Sequence, residues 1–470
     1  MTLSAYLHKI KTEYETAAVI GLGVSNTPLA RCLCQSGVRV TVYDKKTVAQ
    51  LGTDAQELSA LGAEFVTGDD YLAETLRGKI VYRAPGIMPA RLAPILAPDA
   101  VLSSEIEAFF EVCPAKIIGV TGSDGKTTTT SLIAELLKNA GRRVHVGGNI
   151  GTPLFPVADE ISPEDFVVLE LSSFQLISMT ASPEIAVITN ISPNHLDIHA
   201  DYGEYVESKK NIFRYQSPGG RLVINASCGE SLLAAKNAPG DTVYYSQEEP
   251  LTDGFCVRQI GGAEYIVKAA DGTAEPILAV SDIALRGRHN VWNYTAAIAA
   301  VHDLITPKIA AKTAREFRGV EHRLELVREY AGVRYYNDSI ASSPSRTIAG
   351  LKSFDQRVIL IAGGKDKGIP LDPLAPELCR SVKTLILTGP TAEMIADAVA
   401  KYDSAEKPEI SIISDFAAAV LAAKNSAVPG DIVLLSPACT SFYKYADGSD
   451  AQFRNFEERG KYFKELVNGF

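Results

Sequence analysis

Residues 116–139, KIIGVTGSDGKTTTTSLIAELLKN, constrain the fold of this chain more than any other segment. They begin with an apolar β-rich run, continue through a glycine-containing loop and end in a helical pattern that Gly141 closes. This order predicts a strand, a loop and a helix over about 126–139. Short apolar runs alternate with amphipathic helical stretches over most of the remaining chain, which is the pattern of parallel α/β layers. The predicted fold class is therefore α/β.

The loop within this segment, VTGSDGKT, contains the residue types of a phosphate-binding loop. A helix N-terminus offers unpaired N–H groups and a partial positive charge, which together bind phosphate oxygens. Gly122 and Gly125 let the backbone approach a ligand. Lys126 supplies a positive charge, and the Thr127 hydroxyl can reach a magnesium ion. The strict motif would need glycine in place of Val120, and the alternative interpretation is a glycine turn that only caps a helix.

The length of the chain predicts several domains. At 470 residues it is too long for one hydrophobic core, and about three domains are expected. We predict a Rossmann-like N-terminal domain over 1–113 and a central domain over 114–318 that resembles a P-loop ATPase with a parallel sheet. The C-terminal domain, over 319–470, has strands and helices in a dinucleotide-binding-like pattern.

Composition excludes several classes of protein. The net charge of −10 argues against a general nucleic-acid or anionic-membrane surface. No run approaches about 18 apolar residues, and the N-terminus lacks a signal-peptide pattern, so a cytosolic location is expected. The seven cysteines include no C-x-x-C pair, which favours reduced thiols over a disulfide framework or a zinc site.

The first domain contains a nucleotide-binding pattern that allows two interpretations. GLGVSN, at 21–26, is close to a dinucleotide fingerprint, and Asp44 follows about 20 residues later. However, Asn26 stands where the last glycine of the fingerprint would be. A turn that binds another nucleotide diphosphate is equally consistent with these residues.

Three charged residues follow in the central domain. Glu170 ends the run FVVLEL, where a carboxylate at the carboxyl edge of a parallel sheet can reach a loop-bound metal. His195 lies in NISPNHLDIH, and Lys209 follows Tyr205 by four residues on a predicted helix. Taken singly, each has a simpler interpretation, because strand-end acids and helix lysines are often solvated and a lone histidine is usually structural.

These motifs together resemble the ATP-dependent Mur ligase family, which also includes folylpolyglutamate synthases. The resemblance rests on VTGSDGKTT, ELSSFQL, NISPNHLDIH, YVESKKNIF, GRHNVWN and HRLE. YYNDSIAS, IAGGKDKG, LLSPACTSF and NFEERGKYF extend it over essentially the whole chain. The family's loop has the shorter form T-G-x-x-G-K-T, which accounts for Val120.

The resemblance implies a ligase that activates a carboxylate as an acyl phosphate and joins it to an amine. It implies ATP and two magnesium ions, with a carbamate on Lys209 that converts this side chain into an anionic oxygen ligand. Lys210 is the competing lysine, but the spacing from Tyr205 selects Lys209. The implied catalytic residues are Lys126, His195 and Lys209. The implied metal ligands are Thr127, Glu170, His195 and Lys209.

The ATP site implied by the resemblance adds residues from two later motifs to the loop. Asn290 and Asn293 are three residues apart and share a face of a predicted helix. In the family such asparagines approach adenine and ribose, and the alternative is a pair of helix-capping amides. The implied ATP-binding residues are Gly122, Ser123, Asp124, Gly125, Lys126, Thr127, Thr128, Asn290, Asn293, Arg323 and Asp338.

The resemblance also implies the two other substrates, UDP-N-acetylmuramoyl-L-alanine and D-glutamate. The first domain then binds UDP rather than NAD, and the DNP motif of ligases that add a diamino acid is absent. The implied UDP-substrate residues are Val24, Ser25, Asn26, Lys45, Lys46, Gly86 and Asn149. The implied D-glutamate residues are Ser342, Lys367, Ser441, Phe442 and Phe456. No nucleic-acid or membrane partner is expected, and the chain is expected to be a monomer.

Three departures from the family pattern affect these assignments. Asp124 stands where asparagine is usual, which places a carboxylate near the polyphosphate unless it turns away to cap the helix. Ile340 replaces a frequent lysine, and Arg346 is a candidate for the missing charge. The stretch YKYADGSDAQFR before NFEERG is longer than usual. A different interpretation is a nucleotide-binding regulatory protein without turnover, although such a protein would not need a second metal site.

Overall fold

The structure is a computed structural model that describes residues 1–196, 198–366, 369–441, 453 and 455–470. Two compact units form within it, one of residues 1–284 and 288–317 and the other of 285–287 and 318–470. The first unit contains two sheets and the second contains one. All three sheets are largely parallel, which confirms the predicted α/β fold class. The domain boundaries near 113 and 318 stay predictions.

The first sheet has five parallel strands and is surrounded by helices. The strands are β1 (Thr16–Ile20), β2 (Arg39–Asp44), β3 (Glu64–Thr67), β4 (Ile80–Arg83) and β5 (Val101–Ser103). The helices are α1 (Leu3–Lys9), α2 (Asn26–Gln35), α3 (Val48–Leu51), α4 (Thr53–Ala60), α5 (Pro89–Leu92) and α6 (Glu105–Val112). The strand order is β3-β2-β1-β4-β5. Successive strands are added on one side of β1 up to β3 and on its other side from β4 onward, so the strand order reverses between β1 and β4. Ligands of open parallel sheets bind outside the carboxyl ends of the strands at such a switch point.

The second sheet has nine strands. They are β6 (Lys116–Thr121), β7 (Val144–Gly148), β8 (Phe166–Glu170), β9 (Ile185–Ile188), β10 (Arg221–Asn225), β11 (Asp241–Tyr245), β12 (Gly254–Ile260), β13 (Ala263–Ala270) and β14 (Thr273–Ala279). Its helices are α7 (Lys126–Asn139), α8 (Ser173–Leu176), α9 (Tyr202–Arg214), α10 (Gly229–Ala235), α11 (Arg288–Val301) and α12 (Pro307–Glu316). The predicted strand, loop and helix around residues 116–139 are therefore confirmed.

The order of this sheet is β14-β13-β12-β11-β10-β9-β6-β8-β7. Strands β6 to β12 pair in parallel, whereas β12, β13 and β14 form two antiparallel hairpins. The hairpins extend the sheet to its edge at β14. That edge strand contains Pro276, and its partner β13 has a register shift between Ile266 and Val267.

The third sheet has six strands. They are β15 (Glu325–Tyr330), β16 (Val333–Asn337), β17 (Val358–Ala362), β18 (Val382–Leu387), β19 (Glu409–Ile412) and β20 (Ile432–Leu435). Its helices are α13 (Pro344–Leu351), α14 (Ala375–Ser381), α15 (Ala392–Lys401), α16 (Phe416–Ser426) and α17 (Phe456–Asn468). The order is β15-β16-β20-β17-β18-β19, with β15 and β16 as an antiparallel hairpin and the other neighbours parallel.

The central strands are buried along their whole length. Every residue of β8 is buried, as is every residue of β20, because helices cover both faces of a parallel sheet. The buried apolar run of each strand therefore fixes the position of the polar residue at its carboxyl end. Across all the residues described, no helix is long and apolar enough to cross a membrane.

One carboxyl in the first unit is buried at the start of α6. Burial raises the pKa of Glu105 from its ordinary value of 4.5 to about 7, and the backbone of Phe155 acts in the opposite direction. The folded chain therefore keeps this proton to a higher pH than the unfolded chain does. The stability associated with Glu105 is complete below about pH 4.5 and is lost as the pH rises through about 7.

Replacing Glu105 by glutamine should remove this loss, because glutamine does not ionise. Relative to the unchanged chain, Glu105→Gln is expected to gain up to about 3 kcal/mol on going from about pH 5 to about pH 8. Calorimetric Tm values at the two pH values measure the difference. The exposed Glu13→Gln variant is the control, and a Tm difference for Glu105→Gln that does not change with pH would contradict the assignment.

Candidate active site

The phosphate loop connects the carboxyl end of β6 to the N-terminus of α7. Gly122 has φ +151° and Gly125 has φ +80°, in backbone regions that favour glycine. A Cβ on Gly122 would lie 1.8 Å from Thr189 Oγ1, so a side chain does not fit there. Among the described residues, no side chain caps α7. Uncapped N–H groups at a helix N-terminus are the donors that bind phosphate.

Asn190, the second residue after β9, holds the loop in place. Its Oδ1 accepts hydrogen bonds from Ser123 N at 3.1 Å and from Asp124 N at 2.9 Å. The hydroxyl of Thr189 donates to Asp124 O at 2.5 Å. The sequence-based prediction assigned no role to Asn190, although a polar residue directly after the apolar run EIAVIT indicates a position at the carboxyl end of a buried strand. Asp124 is exposed, and α7 has Gly125 as its N-cap, so capping of this helix by Asp124 is wrong.

Two lysines converge on one backbone carbonyl of the loop. Lys126 Nζ donates to Gly122 O at 2.9 Å and to Ser123 O at 3.1 Å. Lys209 Nζ, from α9, donates to the same Gly122 O at 2.8 Å and lies 4.7 Å from the ring centroid of Tyr205. Tyr205 in turn hydrogen bonds through its hydroxyl to Ser123 Oγ at 2.8 Å. Lys209 therefore lies directly behind the phosphate loop.

The surroundings of Lys209 favour its uncharged form. Its side chain is 1% exposed. Burial first, and the nearby charge of Lys126 second, lower the pKa of Lys209 well below its ordinary value, and Asp124 and Glu170 oppose this shift. An uncharged amine is nucleophilic, so this environment suits the chemistry by which a lysine becomes a carbamate.

Glu170 lies on β8, the strand next to β6, and only one of its two carboxylate oxygens has a hydrogen-bond partner among the described residues. It is the last residue of β8 and pairs with Val120 of β6. Asn149 Nδ2 donates to Glu170 Oε1 at 2.8 Å, and Asn149 N donates to Glu170 O at 2.8 Å. Among the described residues, no group hydrogen bonds to the buried Oε2. A buried carboxylate oxygen without a protein partner is suited to a cation.

His195 lies in an exposed loop that aromatic contacts connect to α8. Its backbone has φ 55°, and its ring meets that of Phe174 edge-on at 4.9 Å. The ring of His199 also stacks on that of Phe174, at 5.2 Å. His199 is buried and its Nε2 is 3.0 Å from Ser173 Oγ. Within the described part of the chain, no group of three or more His, Cys, Asp or Glu residues could hold a metal, so the two-metal assignment stays a prediction.

The two asparagines of α11 lie beside the phosphate loop. Asn293 Nδ2 donates to Asn290 Oδ1 at 3.2 Å, which confirms that they share a helix face. Asn293 Oδ1 is 3.5 Å from Thr129 Oγ1, and it would be 2.6 Å from a Cβ on Gly125. Thr127 and Thr128 follow the loop in the first turn of α7. The central part of the predicted ATP site is thus brought together.

The GLGVSN segment, residues 21–26, follows β1, and its polar groups bind backbone within the turn. Asn26 is buried, and its Nδ2 donates to Ile20 O and Gly21 O at 3.1 Å each. Asp44 accepts from Leu22 N at 2.7 Å and from Lys46 N at 2.8 Å. Each carboxylate oxygen of Asp44 thus accepts one backbone hydrogen bond, and these bonds fix the side chain beside the turn.

The remaining predicted UDP-substrate residues of the first sheet lie at its surface. Val24 is 77% exposed. Lys45 Nζ is 3.7 Å from the exposed Asp69 Oδ1, an ion pair that solvent screens. Ser25 immediately precedes α2 and lines a small cavity with Asn26. A Cβ on Gly86 would meet no atom within 4 Å, so this glycine follows β4 in open space.

In the second unit, Arg323 and Asp338 lie close together. Arg323 is flanked by His322 and Leu324, which have positive φ values of 66° and 44° and are therefore strained. Asp338 accepts hydrogen bonds from Leu324 N at 3.3 Å and from Ser436 Oγ at 2.7 Å. Burial raises the pKa of Asp338 to about 7, and the Ser436 hydrogen bond and the charge of Arg323 oppose this shift.

Three of the predicted D-glutamate residues are described, whereas Lys367 and Phe442 lie outside the described residues. Ser441 is 2% exposed. Ser342 N donates to Ile340 O at 2.8 Å, and Phe456 is the first residue of α17. Arg346 Nη1 also donates to Ile340 O, at 3.3 Å, so its guanidinium lies beside the position where the family often has lysine.

The chain is similar to known proteins both in its separate domains and over nearly its full length. The Mur ligase middle domain matches residues 120–301, and the Mur ligase, glutamate ligase domain matches residues 322–439. The UDP-N-acetylmuramoylalanine--D-glutamate ligase of Clostridium botulinum (strain Hall) is 45% identical over 460 residues, which are 97% of either chain. The protein of the same name from Acetivibrio thermocellus is 45% identical over 468 residues, 98% of this chain and 97% of that one.

A solved structure agrees at the level of the fold. The UDP-N-acetylmuramate-alanine ligase of Thermotoga maritima matches with a TM-score of 0.61 over 97% of this chain and 99% of that one. Its sequence identity is 17%, so this likeness concerns the fold alone.

Proposed function

Because this chain belongs to the Mur ligase family, we propose that it is an ATP-dependent ligase that joins D-glutamate to UDP-N-acetylmuramoyl-L-alanine during synthesis of peptidoglycan precursors. The observation that carries the proposal is that three groups lie together at the carboxyl ends of strands β6 and β8 of the second sheet. These are the phosphate loop at the N-terminus of α7, Glu170 Oε2, which has no hydrogen-bond partner among the described residues, and the buried amine of Lys209. The near full-length similarity to relatives of that name supports the choice of substrates.

The residues present fit magnesium ions. Thr127 and Glu170 would hold one ion, and His195 with a carbamate on Lys209 would hold the other. The Oε2 atom of Glu170 supports this assignment, because it is buried without a partner among the described residues. When bound, magnesium would supply positive charge that offsets the charge of the phosphoryl group in transfer.

The proposed reaction has two stages. The alanine carboxylate of the UDP substrate attacks the γ phosphorus of ATP, which releases ADP and forms an acyl phosphate. The amine of D-glutamate then attacks the acyl carbon, and the tetrahedral intermediate collapses to the amide and phosphate. Lys126 balances charge on the phosphoryl oxygens, and Asn149 orients Glu170 near the acyl group. No protein nucleophile is needed, so catalysis consists mainly of positioning and electrostatic stabilisation.

The other assignments complete the proposal. Asn290 and Asn293 are assigned to the adenine and ribose of ATP, Arg323 to the γ phosphate and Asp338 to the ribose. UDP is assigned to Val24, Ser25, Asn26, Lys45, Lys46 and Gly86. D-glutamate is assigned to Ser342, Lys367, Ser441, Phe442 and Phe456. A monomeric chain in the cytosol is part of the same proposal.

A phosphate-release assay tests the proposed function. The purified chain is supplied with ATP, magnesium and UDP-N-acetylmuramoyl-L-alanine, and the amino acid is varied. Release is expected with D-glutamate and not with L-glutamate, L-lysine or diaminopimelate. Phosphate release at a rate that does not depend on D-glutamate would contradict the substrate assignment. ATP binding without any release would favour the regulatory-protein interpretation.

A further inference from the structure

Arg83 joins two segments that are far apart in the chain. It is the last residue of β4 and is 1% exposed. Its Nε and Nη2 donate to Ser178 Oγ at 3.0 and 2.9 Å, and Nη2 also donates to Phe174 O at 2.6 Å. On the other side, Nη1 donates to Pro85 O at 3.4 Å and to Ile87 O at 3.2 Å. One guanidinium thus connects the loop after β4 to α8 and the residues that follow it.

The acceptors of Arg83 are all neutral. Within the described chain, no carboxylate accepts a hydrogen bond from it, and a buried cation without such a partner is costly. Burial lowers the pKa of Arg83 to about 10, and the charge of Glu107 acts against this shift. Stability alone therefore gives little reason for an arginine here. A planar fork of donors, however, can hold two chain segments at a set spacing, which lysine cannot do.

The first segment lies at the nucleotide end of the molecule. The loop after β4 contains Gly86 and follows the switch point between β1 and β4. Arg83 and Pro85 line a small cavity there together with Ser25 and Asn26. The Oδ1 of Asn26 is buried and has no hydrogen-bond partner among the described residues.

The second segment lies at the phosphoryl-transfer end. Helix α8 begins three residues after Glu170, the last residue of β8. The ring of Phe174 contacts the rings of both His195 and His199. Its backbone carbonyl is the group that Arg83 holds at 2.6 Å. A shift of α8 relative to the loop after β4 would therefore move His195 relative to the nucleotide site.

We propose that Arg83 is a positioning residue that sets the spacing between the UDP-binding loop and the residues of phosphoryl transfer. This inference rests on the proposed function, in which one substrate carries UDP at one end and the reacting carboxylate at the other. UDP anchors that substrate at the first sheet, so the position of its carboxylate depends on how the two segments are joined. A misplacement of about 1 Å at a reacting group can cost about 10²-fold in rate.

Kinetics and separate binding measurements on the full chain test this role. Arg83→Met should lower kcat by about 10- to 100-fold, because the substrate still binds but its carboxylate is displaced. The dissociation constants of UDP alone and of ATP alone should stay within about twofold, since each ligand contacts only one end. Arg83→Lys should resemble Arg83→Met, because it keeps the charge and loses the fork. Ser178→Ala should lower kcat less, and adding it to Arg83→Met should have little further effect.

Tyr82→Phe is the matched control. It removes the buried hydrogen bond of 2.8 Å between Tyr82 and Tyr6 one residue before Arg83, and it removes none of the hydrogen bonds that Arg83 donates. It should keep kcat at any temperature where the chain is folded. If Arg83→Met lost activity only in proportion to unfolded protein, or lost UDP binding as well, the positioning role would be overturned. An unchanged chain that is inactive with D-glutamate would instead contradict the proposed function, and the inference with it.

Discussion

Replacing Lys209 by alanine is expected to reduce turnover by at least about 10³-fold, because in the proposed site the carbamate on this lysine would be an anionic metal ligand. The lysine is 1% exposed behind the phosphate loop, where its low pKa leaves the amine free to form a carbamate. Alanine would leave a space beside Gly122 O and Thr121 Oγ1, the two groups to which Lys209 Nζ donates hydrogen bonds among the described residues. Formate or acetate in that space should restore part of the rate by supplying the missing carboxylate oxygens.

Phosphate release at saturating substrates measures this effect, with and without added carboxylate. Lys210→Ala is the matched control, because Lys210 is the next residue on α9 and forms a surface ion pair with Glu207 at 2.7 Å. It should retain nearly full activity and should not respond to carboxylates. Full activity of Lys209→Ala, or an equal loss in both variants, would contradict the assignment of Lys209 as a metal ligand.

Replacing Lys126 by alanine should also lower kcat by about 10³-fold, since charge stabilisation in the transition state is worth most in a water-poor site. Lys126 is the first residue of α7, and its ammonium group lies 2.9 Å from Gly122 O on the loop. From there it can follow the phosphoryl group as negative charge develops. ATP affinity should fall less than kcat, because the N–H groups of the loop remain.

Lys138→Ala is the control for this experiment. Lys138 lies on the same helix and pairs at the surface with Glu135 at 2.7 Å. Titration calorimetry gives the ATP affinity, and single-turnover phosphate release gives the rate of the chemical step. A Lys126→Ala variant that loses ATP binding but keeps its single-turnover rate would show that Lys126 acts in binding rather than in catalysis.

Local signals predicted much of the fold. The helix over 126–139 was confirmed residue for residue, because its glycines and its apolar periodicity lie within the segment itself. The hairpin of β15 and β16 is equally local, because both strands and their turn lie within one short segment, LELVREYAGVRYYND. Glu170 and Asn293 were also placed correctly on their elements, since a strand end and a three-residue spacing are local properties.

Contacts between distant residues could not be predicted in this way. Asn190 binds loop N–H groups 66 and 67 residues earlier, and Arg83 binds Ser178 95 residues later. Asn190 begins the motif NISPNHLDIH, but nothing in that motif gives it a role, and Arg83 belongs to none of the motifs quoted above. The role of each residue depends on which strands become neighbours. The hydrogen bonds of the GLGVSN turn, residues 21–26, could not be predicted from the sequence either. Asp44 has the spacing of a ribose-binding acid, but only the structure shows that its oxygens bind backbone N–H groups of Leu22 and Lys46.

The edge strand β14 bears on how copies of this chain behave towards one another at high concentration. An open sheet edge presents N–H and C=O groups that can recruit a strand from another molecule, which leads to aggregation. Pro276 has no N–H group, so the row of donors along β14 is interrupted there. The register shift at Ile266 and Val267 in the adjacent strand adds local twist to the same edge. The hairpins that enlarge the central sheet thus also end it in a strand that is a poor template for further growth.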